Sequence, residues 1–145
     1  IDEINRLKPR RVLDIGCGYN EFKGKIDNLV GLDPYNSAAD IKCKIADYRC
    51  DEKYDVILAL GSINFGSTNK IFNELEVAVN LAAPGATMYF RVNPGLQHTP
   101  PESKWIRFYP WNSNFIVNCA NHFGVDVVDI RNDQNNRMYF VWRKK

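Results

Sequence analysis

Short apolar runs alternate along this chain with stretches of helical period, and most of the runs stop at an acid or a glycine. Residues 11–15 read as a buried first strand that runs into Gly16-Cys17-Gly18. Residues 29–32 give a second strand, ending at Asp33-Pro34. Residues 41–46 alternate apolar and polar and predict a third, ending at Asp47. Residues 54–60 form a continuous apolar run, as expected of a strand buried on both faces. Residues 86–92 predict the next strand, and residues 125–130 and 138–142 the last two. The polar stretch 131–137 joins that last pair as an antiparallel hairpin.

The helical stretches fall between these runs. Residues 1–8 read as the end of a helix stopped by Lys8-Pro9. A short helical turn is expected near 21–25. Residues 68–81 place Ile71, Phe72, Leu75 and Val79 on roughly one face, and Ala83-Pro84-Gly85 is the expected stop. Residues 111–123 predict a helix ending at Gly124. This order predicts an α/β, Rossmann-like fold: a mostly parallel seven-stranded sheet, helices on both faces and a C-terminal antiparallel hairpin. Only ten residues separate Gly18 from Leu29, so the first crossover must be tight. A length of 145 residues suits one domain, residues 1–145, with one core.

Composition narrows the function classes. A hydrophobic share of 45% and a charged share of 25% are ordinary for a soluble globular chain. A net charge of +2 is too small to call for nucleic acid or an anionic membrane as partner. No apolar run is long enough to span a bilayer, and no secretory signal reads out ahead of the first strand. Cys17, Cys43, Cys50 and Cys119 form no C-x-x-C pair and have no zinc-site spacing, so no metal is expected. Reduced thiols and a cytoplasmic location are the expectation.

The glycine turn after the first strand marks a place where a ligand can rest on bare backbone, at the carboxyl edge of the sheet. A dinucleotide site calls for G-x-G-x-x-G, with the pyrophosphate on a helix N-terminus. Glu21 stands at the third glycine position and would repel a pyrophosphate. Three acids suggest another ligand. Asp14, Asp33 and Asp47 each close an expected strand and line one sheet edge. A carboxylate after the second strand suits a ribose diol, since it accepts from both hydroxyls. A carboxylate after the third can accept from an adenine amino group. A ligand with ribose, adenine and a phosphate-free zwitterionic tail fits this rim, and S-adenosylmethionine has those parts.

With these residues in view, the chain resembles the class I S-adenosylmethionine-dependent methyltransferases over nearly its whole length. Asp14-Ile15-Gly16-Cys17-Gly18 looks like their first motif, D-x-G-x-G. Gly31-Leu32-Asp33-Pro34 resembles the second, whose acid binds ribose, and Ala46-Asp47-Tyr48 the adenine-contacting segment. Tyr54-Asp55-Val56-Ile57 resembles their fourth strand, and Leu81-Ala82-Ala83-Pro84-Gly85 the L-x-P-G-G turn before the fifth. Asn20 stands where the family often has a further glycine, and asparagine tolerates left-handed backbone better than most residues. The resemblance implies methyl transfer to an unidentified acceptor: small molecule, nucleic acid or protein. It implies cofactor contacts at Asp14, Gly16, Cys17, Gly18, Asp33, Pro34, Tyr35, Asp47, Tyr48, Leu60 and Gly61. Tyr35, which follows the ribose acid, either stacks beside the adenine or stands exposed, and Cys17 is expected to be a small packing residue.

Methyl transfer from a sulfonium is an in-line displacement, in which the enzyme mainly aligns nucleophile and methyl. A base is needed only where the nucleophile carries a proton. Two places offer catalytic candidates. Ser62-Ile63-Asn64-Phe65 keeps the outer residue types of the N/D/S-P-P-Y/F tetrad found in amino-methylating relatives but lacks its prolines, and Asn64 is its polar candidate. The long segment 93–110, with four prolines, carries His98 as a candidate base, with Trp105 and Tyr109 as stacking or anchoring rings. Two other functions stay open on the residues: a non-catalytic S-adenosylmethionine-binding module or degenerate subunit, and a nicotinamide-dependent oxidoreductase.

Overall fold

The computed structural model describes residues 1–63, 66–93, 111–132 and 137–145. Six strands form one mixed sheet: β1 (Val12–Ile15), β2 (Leu29–Leu32), β3 (Tyr54–Leu60), β4 (Ala82–Val92), β5 (Val125–Asn132) and β6 (Met138–Lys144). Their spatial order is β2-β1-β3-β4-β6-β5. The pairs from β2 to β4 are parallel, and β6 runs antiparallel to both β4 and β5. Among the described residues three α-helices accompany them: α1 (Asp2–Arg6), α2 (Thr68–Leu81) and α3 (Ser113–Phe123).

Strand alternation divides the core between the two sheet faces. Ile57, Ala59, Met88, Phe90, Phe140 and Trp142 point to the face that α2 and α3 cover, and the larger apolar cluster forms there. Phe90 stacks on Phe140 with ring centroids 4.6 Å apart, and Trp142 meets Phe90 at 5.0 Å. Val56, Leu58, Tyr89 and Val141 point the other way, where Ile4 of α1 and Ile26 of the crossover join a smaller cluster. Among the described residues that second face carries one short helix, α1, and no full helical layer.

Both long helices begin on a side-chain cap. Ser67 accepts from the Lys70 amide, and Asn112 accepts from the Phe115 amide at 2.8 Å. α3 ends on Gly124 in left-handed backbone, φ +70°, as its sequence predicts. α2 ends differently. Ala82 is already extended, so strand β4 begins directly after Leu81, and Gly85 sits in an irregular stretch of β4 instead of stopping the helix. The freed carbonyls at this end are taken by Lys144, whose Nζ donates to Val79 O at 2.8 Å and Ala82 O at 2.9 Å. Lys144, at the end of β6, thus caps α2.

Two further expectations give way. The strand expected over 41–46 does not form. Ile41 makes a single parallel bridge to Leu32, and the chain then turns into a 3-10 turn at Ile45–Asp47. That bridge uses Gly31 O and the Asp33 amide. The next outward amide a continuing strand would need is that of Tyr35, and Asp33 Oδ1 takes it at 2.9 Å as the chain turns away after β2. The sheet accordingly has six strands among the described residues and not seven. The short helical turn expected near 21–25 is a chain of tight turns, in which the Ile26 amide reaching Phe22 O is the one bond of α-helical span.

Candidate functional site

A cavity of about 540 Å³ opens at the carboxyl ends of β1, β2 and β3. This is the switch point of the sheet, where β1 has β2 on one side and β3 on the other. Each strand delivers residues as it ends: Ile15 and Gly16 from β1, Leu32 and Asp33 from β2, Leu60 and Gly61 from β3. Pro34 and the largely exposed Tyr35 continue the β2 wall, and Ser62 continues that of β3. The segment Cys43-Lys44-Ile45-Ala46 and the α2 residues Lys70 and Glu74 close the remaining side.

The turn after β1 is held by backbone. The amides of Gly16 and Cys17 both donate to Leu32 O, at 2.7 and 3.0 Å, which ties the turn to the end of β2. Gly16 adopts φ +71°, and a Cβ there would run into the Ser62 side chain. Glycine is thus required twice over, by conformation and by space. Ser62 Oγ donates to Ile15 O at 2.7 Å and fixes the β3 loop against the β1 turn. Asn20 sits at φ +61°, and its amide nitrogen donates to Ala38 O at 3.1 Å and to Asp40 at 3.2 Å.

Asp33 is positioned from three directions. Its Oδ2 accepts from the Gly18 amide at 3.1 Å, and its Oδ1 accepts from the amides of Tyr35 at 2.9 Å and Asn36 at 3.1 Å. A carboxylate has about four acceptor sites, so capacity remains toward the cavity. Asp14 lies deeper, 4% exposed on β1, and burial raises its carboxyl to about 7. Cys17 is buried beside it. Burial first, then the nearby Asp14, Asp33 and Asp40, push its thiol up to about 11, which leaves it unreactive at neutral pH.

Of the residues singled out from sequence, Gly16, Asp33, Pro34, Tyr35, Leu60 and Gly61 line this cavity. Asp14, Cys17 and Gly18 do not line it, although the Gly18 amide donates to Asp33 on its wall. Asp47 and Tyr48 are elsewhere. Asp47 is exposed at the end of the 3-10 turn, and the buried Tyr48 hydroxyl lies 2.8 Å from that of Tyr54 in the core. The missing third strand moves them: the chain enters the wall at Cys43–Ala46 and leaves it before Asp47. Asn64 and His98 lie outside the described residues, as do Trp105 and Tyr109. Sequence reading missed Ser62, Lys70 and Glu74. Glu74 had a signal, a carboxylate on the stripe of Ile71, Leu75 and Ala78, all buried on α2. Among the described residues, no group of three or more His, Cys, Asp or Glu is placed to hold a metal, and no helix is long and apolar enough to cross a membrane.

No protein-family model and no curated protein matches the sequence. Solved structures do match its fold. The N-methyltransferase NodS from Bradyrhizobium japonicum WM9, in complex with S-adenosyl-l-homocysteine, is 14% identical. It aligns with 94% of this chain and 78% of its own, at a TM-score of 0.71. DesVI from Streptomyces venezuelae is 11% identical, with 99% of this chain and 88% of its own aligned, at a TM-score of 0.75. The 1,6-didemethyltoxoflavin-N1-methyltransferase of Burkholderia thailandensis, with bound S-adenosylhomocysteine, is 13% identical over 92% of this chain and 70% of its own, at a TM-score of 0.73. At such identities the likeness speaks for architecture, and the chain has the fold of the class I S-adenosylmethionine-dependent methyltransferases.

Proposed function

We propose that residues 1–145 act as one methyltransferase domain that binds S-adenosylmethionine across the carboxyl ends of β1, β2 and β3. One observation carries this reading. Bare backbone at Gly16 and Gly61 and the carboxylate of Asp33 meet on the walls of one cavity at the switch point of the sheet. Its volume of about 540 Å³ lies within the range of small-ligand sites. Two buried features also fit an adenosyl ligand. Gly16 leaves no room for a side chain beside Ser62, so backbone forms the floor there. Glu74 presents a carboxyl oxygen with no partner among the described residues.

In this reading Asp33 accepts from the ribose hydroxyls while its amide partners hold it in place. Gly16 and Gly61 admit the methionine end. Tyr35 covers the rim. When bound, S-adenosylmethionine would supply an electrophilic methyl group on its sulfonium for bonding to a nucleophile of the acceptor. Asn64 and His98, which lie outside the described residues, are the proposed catalytic residues. His98 takes a proton where the nucleophile carries one. A small-molecule acceptor is supported by the neighbours, whose names cite 1,6-didemethyltoxoflavin and magnesium protoporphyrin IX. A reducing, cytoplasmic setting is supported by four cysteines that form no disulfide.

Isothermal titration with S-adenosylhomocysteine and with NAD tests the cofactor. Binding of the first without the second is expected, and tight NAD binding alone would sink the reading. Methyl transfer to a panel of small amines, phenols and carboxylic acids then separates an enzyme from a binding module.

A further inference from the structure

Asp33 and Glu74 are the two carboxylates on the cavity wall. Asp33 has three amide partners, and Glu74 is its opposite. Glu74 is 8% exposed, and its Oε1 has no hydrogen-bond partner among the described residues. Burial raises its carboxyl above the ordinary glutamate range, and Lys70, one turn earlier on α2, opposes that only in part. A buried carboxyl left without a partner costs free energy, and the cost is recovered when a ligand brings a donor to it.

The position of Glu74 says which part of a ligand that is. α2 packs against the 3-10 turn Ile45–Asp47, and Glu74 lines the same cavity as the wall residues Cys43, Lys44, Ile45 and Ala46. A ribose held at Asp33, with the methionine end over Gly16 and Gly61, sends its base toward that wall. The acid at the end of the expected third strand, Asp47, is exposed and off the wall.

Resting on the cofactor reading above, we propose that Glu74 is the acceptor for the exocyclic amino group of the adenine, reaching the base from α2. Glu74 is then a specificity-determining residue. It distinguishes adenine from purines that carry no donor at that position, and it supplies from a helix what the vanished third strand does not.

The test compares two ligands on three proteins. The ligands are S-adenosylhomocysteine and its 6-deamino analogue, in which purine replaces adenine and only the amino donor is lost. The proteins are the wild-type chain, Glu74→Gln and Glu74→Met, each checked by circular dichroism, with affinities from isothermal titration. The wild type is expected to prefer S-adenosylhomocysteine by about tenfold, the scale of one buried hydrogen bond. Glu74→Gln keeps a carbonyl acceptor and most of the preference. Glu74→Met keeps the length, removes the acceptor and brings the two affinities within about twofold. Glu74→Leu serves the same comparison should the methionine variant fold poorly. Equal affinity of the wild type for both ligands, or a methionine variant that weakens both equally, would overturn the assignment of Glu74 alone. Failure of the folded wild type to bind S-adenosylhomocysteine at all would overturn the cofactor reading, and this assignment with it.

Discussion

The amide of Gly18 donates to the Asp33 carboxylate at 3.1 Å, so the turn after β1 and the end of β2 are one unit. The two residues follow adjacent parallel strands, and the hydrogen bond lies beside the wall where the cofactor reading puts the ribose. Asp33 therefore shapes the turn and faces the ligand with the same group.

That double role predicts the outcome of substitution. Asp33→Ala removes the acceptor for a diol and frees the amides of Gly18, Tyr35 and Asn36. Affinity for S-adenosylhomocysteine should fall by tenfold or more, because hydrogen bonds to a charged acceptor are the stronger class. Asp33→Asn keeps one acceptor oxygen and should fall less. Titration calorimetry of both variants checks the order, and an unchanged dissociation constant in Asp33→Ala would rule out Asp33 as the ribose ligand.

Much of this arrangement was legible in the chain itself. The limits of β2, β3 and α2 coincide with apolar runs that are continuous or of helical period and have clear stops at Asp33 and Gly61 or a clear start at Ser67. Residues 41–46 misled because their alternation is real but their hydrogen bonds are not strand-like. The Tyr35 amide, which the next ladder bond would need, is held by the Asp33 carboxylate at 2.9 Å. Nothing within residues 41–46 themselves announces that. The same holds at the end of α2, where Lys144 reaches across sixty-odd residues of sequence to the carbonyls of Val79 and Ala82. Where the expected strand forms, its end residue Asp33 reaches the cavity; Asp47, at the end of a strand that does not form, lies off the cavity wall.

Asn20 gives a second prediction, one in which two effects oppose each other. Its φ of +61° favours glycine, which relieves about 0.5–1 kcal/mol of left-handed strain. Its side chain, however, donates to both Ala38 O and Asp40, the residue that also holds Gly31 and Lys23. Losing those bonds costs about 1–2 kcal/mol, and glycine adds unfolded-state entropy besides. Asn20→Gly should therefore destabilise the chain by about 1 kcal/mol, a drop of a few degrees in thermal midpoint. Thermal unfolding followed by circular dichroism measures it. A variant as stable as the wild type would mean that the backbone term dominates and that the clamp between the crossover and β2 is slack.

Asp14 gives a pH dependence with a definite sign. Burial raises its carboxyl from the model-compound 3.8 to about 7 in the folded chain. The folded state then holds a proton that the unfolded state has released between about pH 4 and 7. Stability should fall as pH rises through that window, by up to about 1.4 kcal/mol per pH unit from this group. Glu74, raised for the same reason, adds a slope of the same sign, so the wild-type profile alone does not isolate Asp14. The difference between wild type and Asp14→Asn does. The amide does not ionise, so urea unfolding without ligand should show the variant gaining on the wild type from pH 4 to pH 7, and holding its advantage at pH 8. Parallel profiles across that range would show that Asp14 keeps an ordinary carboxyl, solvated or paired in a way its 4% exposure does not suggest.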